Sequence, residues 1–395
     1  MVDLTQTTAK MPKFVLRRTL LFVVAVAFGG CAGTQWRTPY TESELQIAVP
    51  MGVPGVRTWA DVPLSVLRDQ VAHLPALNEA HEFSILALSG GGEHGAFGAG
   101  LLCGWSETGR RPIFDIVTGV STGALMAPFA FLGSGYDQRL RALYTEMSFH
   151  SVLSGSPLTG LFGEGLYNTQ PLQRIIARQI DQLMLADIAA AYRQGRRLFV
   201  VTTNLDAQRA VLWNMGAIAA SGRPGALELF RKVILASASV PGLFDPVFID
   251  AEANGRRFKE MHVDGGAAFP LFAIPLKLLT ASELVIAHRT SGQLYIIINN
   301  NLNPAFAIAK PKTLSITVRA FNTLVKSDFY DTILGSYVFT EKQGLKFNLA
   351  YIPNSFKVKS VELIDPNYMT ALFEFGRARG RLGDGWQHVP PNLYQ

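Results

Sequence analysis

The sequence predicts an α/β fold, a mainly parallel central sheet covered by helices on both faces. Three observations carry this. Short, nearly continuous apolar runs alternate with segments of helical period, as strands buried on both faces require. Clustered glycines follow one of those runs at Ser89 to Gly95. A second glycine-flanked turn, Gly119 to Gly123, stands where another run gives way to an apolar helical pattern. With 395 residues, 48% hydrophobic and 17% charged, the chain has the apolar material such a core needs and the composition of a folded protein.

The strands expected in order are "FSILALSG", "FDIVTGV", "RRLFVVTTNL", "KEMHVDGG" and "QLYIIINNN". Between them a helix is marked by Pro171 in its first turn after Thr169, with Leu172, Ile175, Ile176 and Ile180 repeating on one face. Another begins near Ala226 and runs through "LELFRKVILASAS" into the loop "VPGLFDPV". The last hundred residues read as one long helix, "SITVRAFNTLVKSDFYDTILGSYVF", followed by the strand "LKFNLAYI". No internal repeat or low-complexity tract interrupts this order.

The N-terminus has a different character. Residues 1–30 read as a signal peptide, with basic residues before a nine-residue apolar run, Leu20 to Phe28, and small residues after it. Spanning a bilayer takes about 20 residues, so this is a cleavable leader and not an anchor helix. Met11 can serve as the start as well as Met1. Cys31 after Gly29-Gly30 resembles a bacterial lipoprotein processing site, although Phe28 stands where Leu is usual. Acylated there, the mature protein would be held on a membrane, and Ala32 in place of Asp resembles the outer-membrane sorting pattern. That places it in the bacterial cell envelope, facing the periplasm. Residues 31–80 read as a Pro-rich, polar tether, 81–300 as the domain that holds both glycine turns and 301–395 as a C-terminal extension packed on it.

The formal charge is +6, of which the leader carries +3. The remaining +3, with no dense Lys/Arg block interleaved with aromatics, argues against a nucleic-acid partner. Cys103 lies in an apolar run with no partner once Cys31 is acylated, so it reads as packing and no disulfide is expected.

Two chemistries compete for the glycines. Gly90, Gly92 and Gly95 satisfy GxGxxG after a strand, and Asp115 lies at the distance where a dinucleotide site places its acidic residue. Asp115, however, opens its strand and would sit at the wrong edge of the sheet. Gly119-Val120-Ser121-Thr122-Gly123 is a GxSxG between a strand and a helix, the setting of a nucleophile elbow. A serine hydroxyl there needs a base and donors for the oxyanion, and bare backbone amides from Gly90 to Gly95 could supply the donors. Two base systems are open. One is a Ser-His-Asp triad through His288 or His388. The other is Asp264 in "HVDGG", at a strand end with glycines after it.

Taken in order, the glycine loop (Gly90, Gly91, Gly92, Gly95), the GxSxG at Ser121 and the Asp264-Gly265-Gly266 triplet resemble the patatin-like phospholipase family over about Phe83 to Phe269. "VTTNLDAQRAVLWNMGAIA" and "ASASVPGLFDPV" add to the resemblance. It implies a three-layer α/β/α fold and a Ser-Asp dyad hydrolysing lipid acyl esters, phospholipase A or lysophospholipase in type, with no cofactor and no metal. Ser121 would be the nucleophile, Asp264 the general base and Gly90 to Gly92 the oxyanion hole, with Gly95, Gly119, Gly123, Gly265 and Gly266 supporting the motifs. The partner expected is a membrane lipid or lysolipid. One departure is His94, where the family usually has Arg or Lys. The dyad further requires a desolvated Asp264, since an aspartate near its ordinary value of about 3.9 is too weak a base at neutral pH. The apolar stretch "AAFPLFAIPL" after it could supply that environment. A serine esterase with a histidine base, or a lipid-binding lipoprotein without catalysis, are the alternatives.

Overall fold

The computed structural model describes residues 37–62, 82–147, 166–273, 292–304 and 311–391, with a few isolated positions besides. The elements named below lie in one compact unit, Thr41–Gln395. Along the chain come strands β1 (Val49–Pro50), β2 (Arg57–Trp59) and β3 (Phe83–Leu88), helix α1 (Gly95–Glu107), β4 (Ile116–Val120), and helices α2 (Thr122–Leu132) and α3 (Asp137–Thr145). Helices α4 (Gln170–Gln179) and α5 (Gln182–Arg193) precede β5 (Arg197–Asn204) and β6 (Arg209–Asn214). After α6 (Ala226–Ser237) follow β7 (Val247–Ala253), β8 (Arg256–Asp264) and β9 (Gly292–Ile298). The chain closes with α7 (Thr313–Gln343), β10 (Lys346–Tyr351) and α8 (Pro366–Leu382).

The sheet order is β1-β7-β8-β5-β4-β3-β9-β10, with β6 beside β5 and β2 beside β6. Its centre, β5-β4-β3-β9-β10, is parallel throughout. An antiparallel wing, built from β1, β2, β6, β7 and β8, completes it. The central strands are apolar on both faces because both faces are covered, and every residue of β3 and β5 is buried. Alternate residues serve opposite layers. Leu86 and Leu88 point into the core shared with α1, α2, α6 and α8, whereas Phe83, Ile85 and Ala87 meet Phe329 and Ile333 of α7.

Local signals start and stop the helices as the chemistry of their ends demands. Asp181 caps α5 by accepting from the Met184 amide at 2.8 Å, and Asp365 caps α8 by accepting from Asn367 and Tyr368. Pro366 stands at the first position of α8, and Gly383, at φ 76°, ends it. The C-terminal hundred residues are integral to the sheet, since β10 pairs with β9 over six positions from Lys346–Gln293 to Tyr351–Ile298. No helix among the described residues is long and apolar enough to cross a membrane. Residues 1–36, and with them Cys31, lie outside the described residues.

The parallel centre brings the carboxyl ends of β3, β4, β5 and β9 to one rim. Leu88 is level with Gly119 and with Ile297, and Val120 is level with Val201. From the other side β8 enters antiparallel and pairs only its last three residues with the last three of β5, ending Asp264 opposite Thr202. Ser121, one residue past Val120, is therefore at the same level as Thr202 and Asp264.

Candidate active site

Ser121 occupies the turn between β4 and α2 at φ 56° and ψ −123°, a left-handed conformation unusual for a residue with a side chain. Gly119 and Gly123 make the turn possible. A Cβ at Gly119 would collide with the Gly123 carbonyl, and one at Gly123 with the Leu88 carbonyl. The amide of Ser121 donates to the Ser237 hydroxyl at 2.9 Å, and Ser237 in turn donates to the Val201 carbonyl at 2.7 Å. The elbow is thus tied to the end of α6 and to β5.

The Ser121 hydroxyl donates to Asp264 Oδ2 at 2.6 Å. The other carboxylate oxygen, Oδ1, accepts the Gly266 amide at 2.7 Å. The Asp264 backbone is held at both polar atoms, its amide donating to Ser239 O at 2.8 Å and its carbonyl accepting from Thr203 Oγ1 at 3.0 Å. A Cβ at Gly265 would strike the Val201 carbonyl, so this position also requires glycine. Asp264 is buried, and that burial pushes its carboxyl up to about 7 against the two hydrogen bonds that favour the charged form. A carboxylate so placed is a serviceable base near neutral pH.

The segment expected to shelter it does run along the site. The Pro270 carbonyl accepts from the Gly90 amide at 2.9 Å, and the Phe272 carbonyl accepts from Thr118 Oγ1 at 2.5 Å.

The glycine loop lies alongside the serine. A Cβ on Gly90 would sit 3.2 Å from Ser121 Cβ and 3.8 Å from Ser121 Oγ. Gly90, expected as an oxyanion donor, has its N–H committed to Pro270, because β3 ends two residues earlier and the loop is fastened there. The Gly91 and Gly92 amides carry no hydrogen bond among the described residues and remain as donors, each at positive φ. Gly91 packs so closely on Asn299 that a Cβ would collide with its carbonyl oxygen. Asn299 also donates through Nδ2 to the Ser89 carbonyl at 2.9 Å and accepts from the Gly98 amide at 3.2 Å. Gly95 opens α1 against Thr122 and Tyr144, leaving no room for a side chain.

His94 turns inward. Its Nδ1–H donates to the Gly91 carbonyl at 2.9 Å, its ring meets Tyr368 edge-on, and burial pushes its imidazole below the ordinary value. It braces the loop from behind, in the position where a charged side chain was the usual expectation.

The histidine bases fare differently. His388 bonds the carbonyl of Phe347, near the amino end of β10 and roughly four residues of strand, about 13 Å, from the rim that carries Ser121. That distance removes it as a base. His288 lies outside the described residues. His262, two residues before Asp264, is a satisfied core histidine. It accepts at Nδ1 from Thr202 Oγ1 at 2.9 Å, a hydroxyl that itself accepts from Trp213 at 2.8 Å, and donates through Nε2 to Glu260 at 3.1 Å. Burial opposes the charge on Glu260, but hydrogen bonds from His262 and Arg57 outweigh it and hold the carboxyl well below its usual range. Asp115 lies at the opposite, amino-terminal edge, accepting from the Ser84 amide at 2.8 Å, as expected for a residue that opens its strand. Cys103 is buried and its thiol is pushed up to about 12, chiefly by burial. No cluster of His, Cys, Asp or Glu suited to a metal ion occurs among the described residues.

Sequence reasoning passed over Ser237, Ser239, Thr203 and Asn299, which hold the backbone of the site. The serines lie inside "ASASVPGLFDPV", a stretch carrying the resemblance without an assigned role, and Asn299 carried no signal at all.

Comparison with known proteins adds three findings. Residues 86–275 match the family model described as patatin-like phospholipase. No curated protein matches the sequence significantly. Among solved structures, VipD from Legionella pneumophila superposes with a TM-score of 0.36 at 12% identity, over 78% of this chain and 67% of that one.

Proposed function

We propose, from the premise that residues 86–275 form a patatin-like phospholipase domain, that this chain is a serine lipid acyl hydrolase of the phospholipase A or lysophospholipase kind. The family match supports lipid acyl hydrolysis in general. One observation carries the finer reading. The hydroxyl of a strained elbow serine donates to a buried carboxylate whose proton affinity is raised to near neutrality.

In this reading the Ser121 oxygen attacks the ester carbonyl carbon while its proton passes to Asp264 Oδ2. The carbonyl oxygen becomes an oxyanion that the Gly91 and Gly92 amides receive, and each such donor contributes about 2.7 to 4 kcal/mol to the transition state. The tetrahedral intermediate collapses, the carbon–oxygen bond to the leaving alcohol breaks, and Asp264 returns the proton to that alcohol. Water then repeats the sequence on the acyl-serine, with Asp264 accepting its proton, and releases the fatty acid. Neither a metal nor a cofactor takes part.

A lipid substrate fits an anchored enzyme. The likeness of Gly29-Gly30-Cys31 to a lipoprotein processing site supports acylation of Cys31 and residence in a bacterial cell envelope, at the outer membrane facing the periplasm.

The test is covalent labelling with a fluorophosphonate, followed by product analysis on mixed phospholipids and monoacylglycerols. The wild-type protein should label at Ser121 and release free fatty acid. Ser121→Ala should do neither, with activity down about 10³-fold or more. Equal labelling of wild type and Ser121→Ala would put the nucleophile elsewhere and end the proposal, and a wild-type protein that neither labels nor releases fatty acid would be a non-catalytic lipid binder.

A further inference from the structure

Beyond Asn299, the residue packed beneath Gly91, the chain leaves the rim of the sheet through a segment of unusual surface chemistry. From residue 300 to residue 327 it carries Lys310, Lys312, Arg319 and Lys326 and not one Asp or Glu. The same stretch shows water large apolar side chains, with Phe306 95% exposed, Ile308 89%, Leu324 70% and Ile316 54%. Single exposed apolar residues need no explanation. Four in one short stretch, among cations alone, do.

Two of the four share one face of a helix that reaches the site, and the other two lie in the loop that leads into it. Ile316, Ala320 and Leu324 follow one another at intervals of four along α7, which puts them on one face, and all three are exposed. Farther along, Phe329 and Ile333 of α7 are buried against β3, β9 and β10, so the helix is fixed and that face cannot turn inward. The loop is tied to the helix, since Lys326 Nζ donates to the Asn303 carbonyl at 2.7 Å and Tyr330 donates to the Leu302 carbonyl. Phe321, in the first half of α7, lies 3.9 Å from where a Cβ on Gly266 would sit, and the Gly266 amide is the one that holds Asp264.

We propose that the loop around Phe306 and Ile308, with the first half of α7, docks on the surface of an anionic lipid bilayer. The four apolar side chains enter the boundary of the acyl chains, and Lys312 and Arg319 stand among the phosphates. This deepens the hydrolase reading and rests on it for its purpose, because docking here sets the mouth beside Ser121 and Asp264 against the substrate surface. It is a second attachment, separate from Cys31. A second copy of the chain is the poorer occupant, because a two-fold interface would set the like charges of the two segments against one another.

The experiment uses the full chain carrying Cys31→Ser, so that no acyl anchor contributes, in co-sedimentation with phosphatidylglycerol-containing vesicles and with pure phosphatidylcholine vesicles. Binding to the anionic vesicles should be tighter by at least about tenfold and should weaken in high salt. Phe306→Ser combined with Ile308→Ser, and separately Leu324→Ser, should each lower that binding by about tenfold. Hydrolysis of monomeric p-nitrophenyl butyrate by these variants should stay within about twofold of the parent, which also reports that they fold. Unchanged vesicle binding by both variants overturns the proposal, as does equal binding to the two vesicle types. Loss of a solution dimer in the variants without loss of vesicle binding overturns it in favour of self-association. If the parent binds vesicles as expected yet hydrolyses no ester, the docking surface is supported and the hydrolase reading is what fails.

Discussion

In the proposed mechanism the chemistry turns on two residues, Ser121 and Asp264, and each is held in a state it would not adopt alone. The serine stands at positive φ, a strain of about 1–3 kcal/mol that the surrounding hydrogen bonds must offset. Asp264 is deprived of water, and its carboxyl rises to about 7. The active form of a base is the deprotonated one, so kcat/KM should rise with pH below about 7 and level off above it. A profile flat down to pH 5 would exclude Asp264 as the base. Stability should run the other way. Because the folded value exceeds that of an unfolded aspartate, the folded chain binds the proton more tightly, and this contribution is complete at pH below about 4 and lost as pH rises through 7. Asp264→Asn cannot ionise, so its melting temperature relative to wild type should improve by several degrees between pH 5 and pH 8, even as activity disappears. At this scale Ser121 and Asp264 could be read from glycine-flanked motifs, because bare backbone around a reactive side chain leaves a mark in sequence. The commitment of the Gly90 amide to Pro270 left none, since a hydrogen bond to a carbonyl needs no particular side chain.

At the level of elements, the strand runs and the long α7 were legible, but the partnership of α1 with α8 was not. These helices pack backbone to backbone. A Cβ on Gly100 would meet the Phe373 carbonyl, one on Gly104 the Arg377 carbonyl, one on Gly376 the Phe97 carbonyl and one on Gly380 the Leu101 carbonyl. Two glycines four apart on each helix therefore interlock. In sequence a helical glycine reads as a weakness of about 1 kcal/mol, and only the facing helix reveals its use. Gly376→Val should lower the stability measured by urea denaturation by about 1–3 kcal/mol or more, whereas Lys359→Ala, at an exposed loop position, should change it by less than about 0.5 kcal/mol. Equal midpoints for the two variants would refute the interlock. Because α1 begins at the end of the glycine loop, the same substitution should reduce ester hydrolysis as well.

For the whole molecule, the two proposed attachments differ in their physics. Acyl chains on Cys31 would hold the protein through hydrophobic insertion, which salt does not screen, while the basic and apolar face near α7 would act partly through charge, which salt does screen. Membranes from cells making the wild-type protein should therefore retain it in high salt, and those with Cys31→Ser should release it into the soluble fraction. Retention of Cys31→Ser in high salt would refute lipidation as the anchor. By itself the sequence determined the alternation of buried strands and helices, the elbow at Ser121, the strand-end setting of Asp264 and the glycines that both require. These are local matters, set by backbone conformation and apolar period. Only the tertiary structure decided that β8 arrives antiparallel and stops level with Ser121, that Pro270 and not solvent meets the Gly90 amide, and that His262 and His388 are occupied elsewhere. Register between strands distant in the chain is fixed by packing and hydrogen bonding across the sheet, and no single segment carries that information.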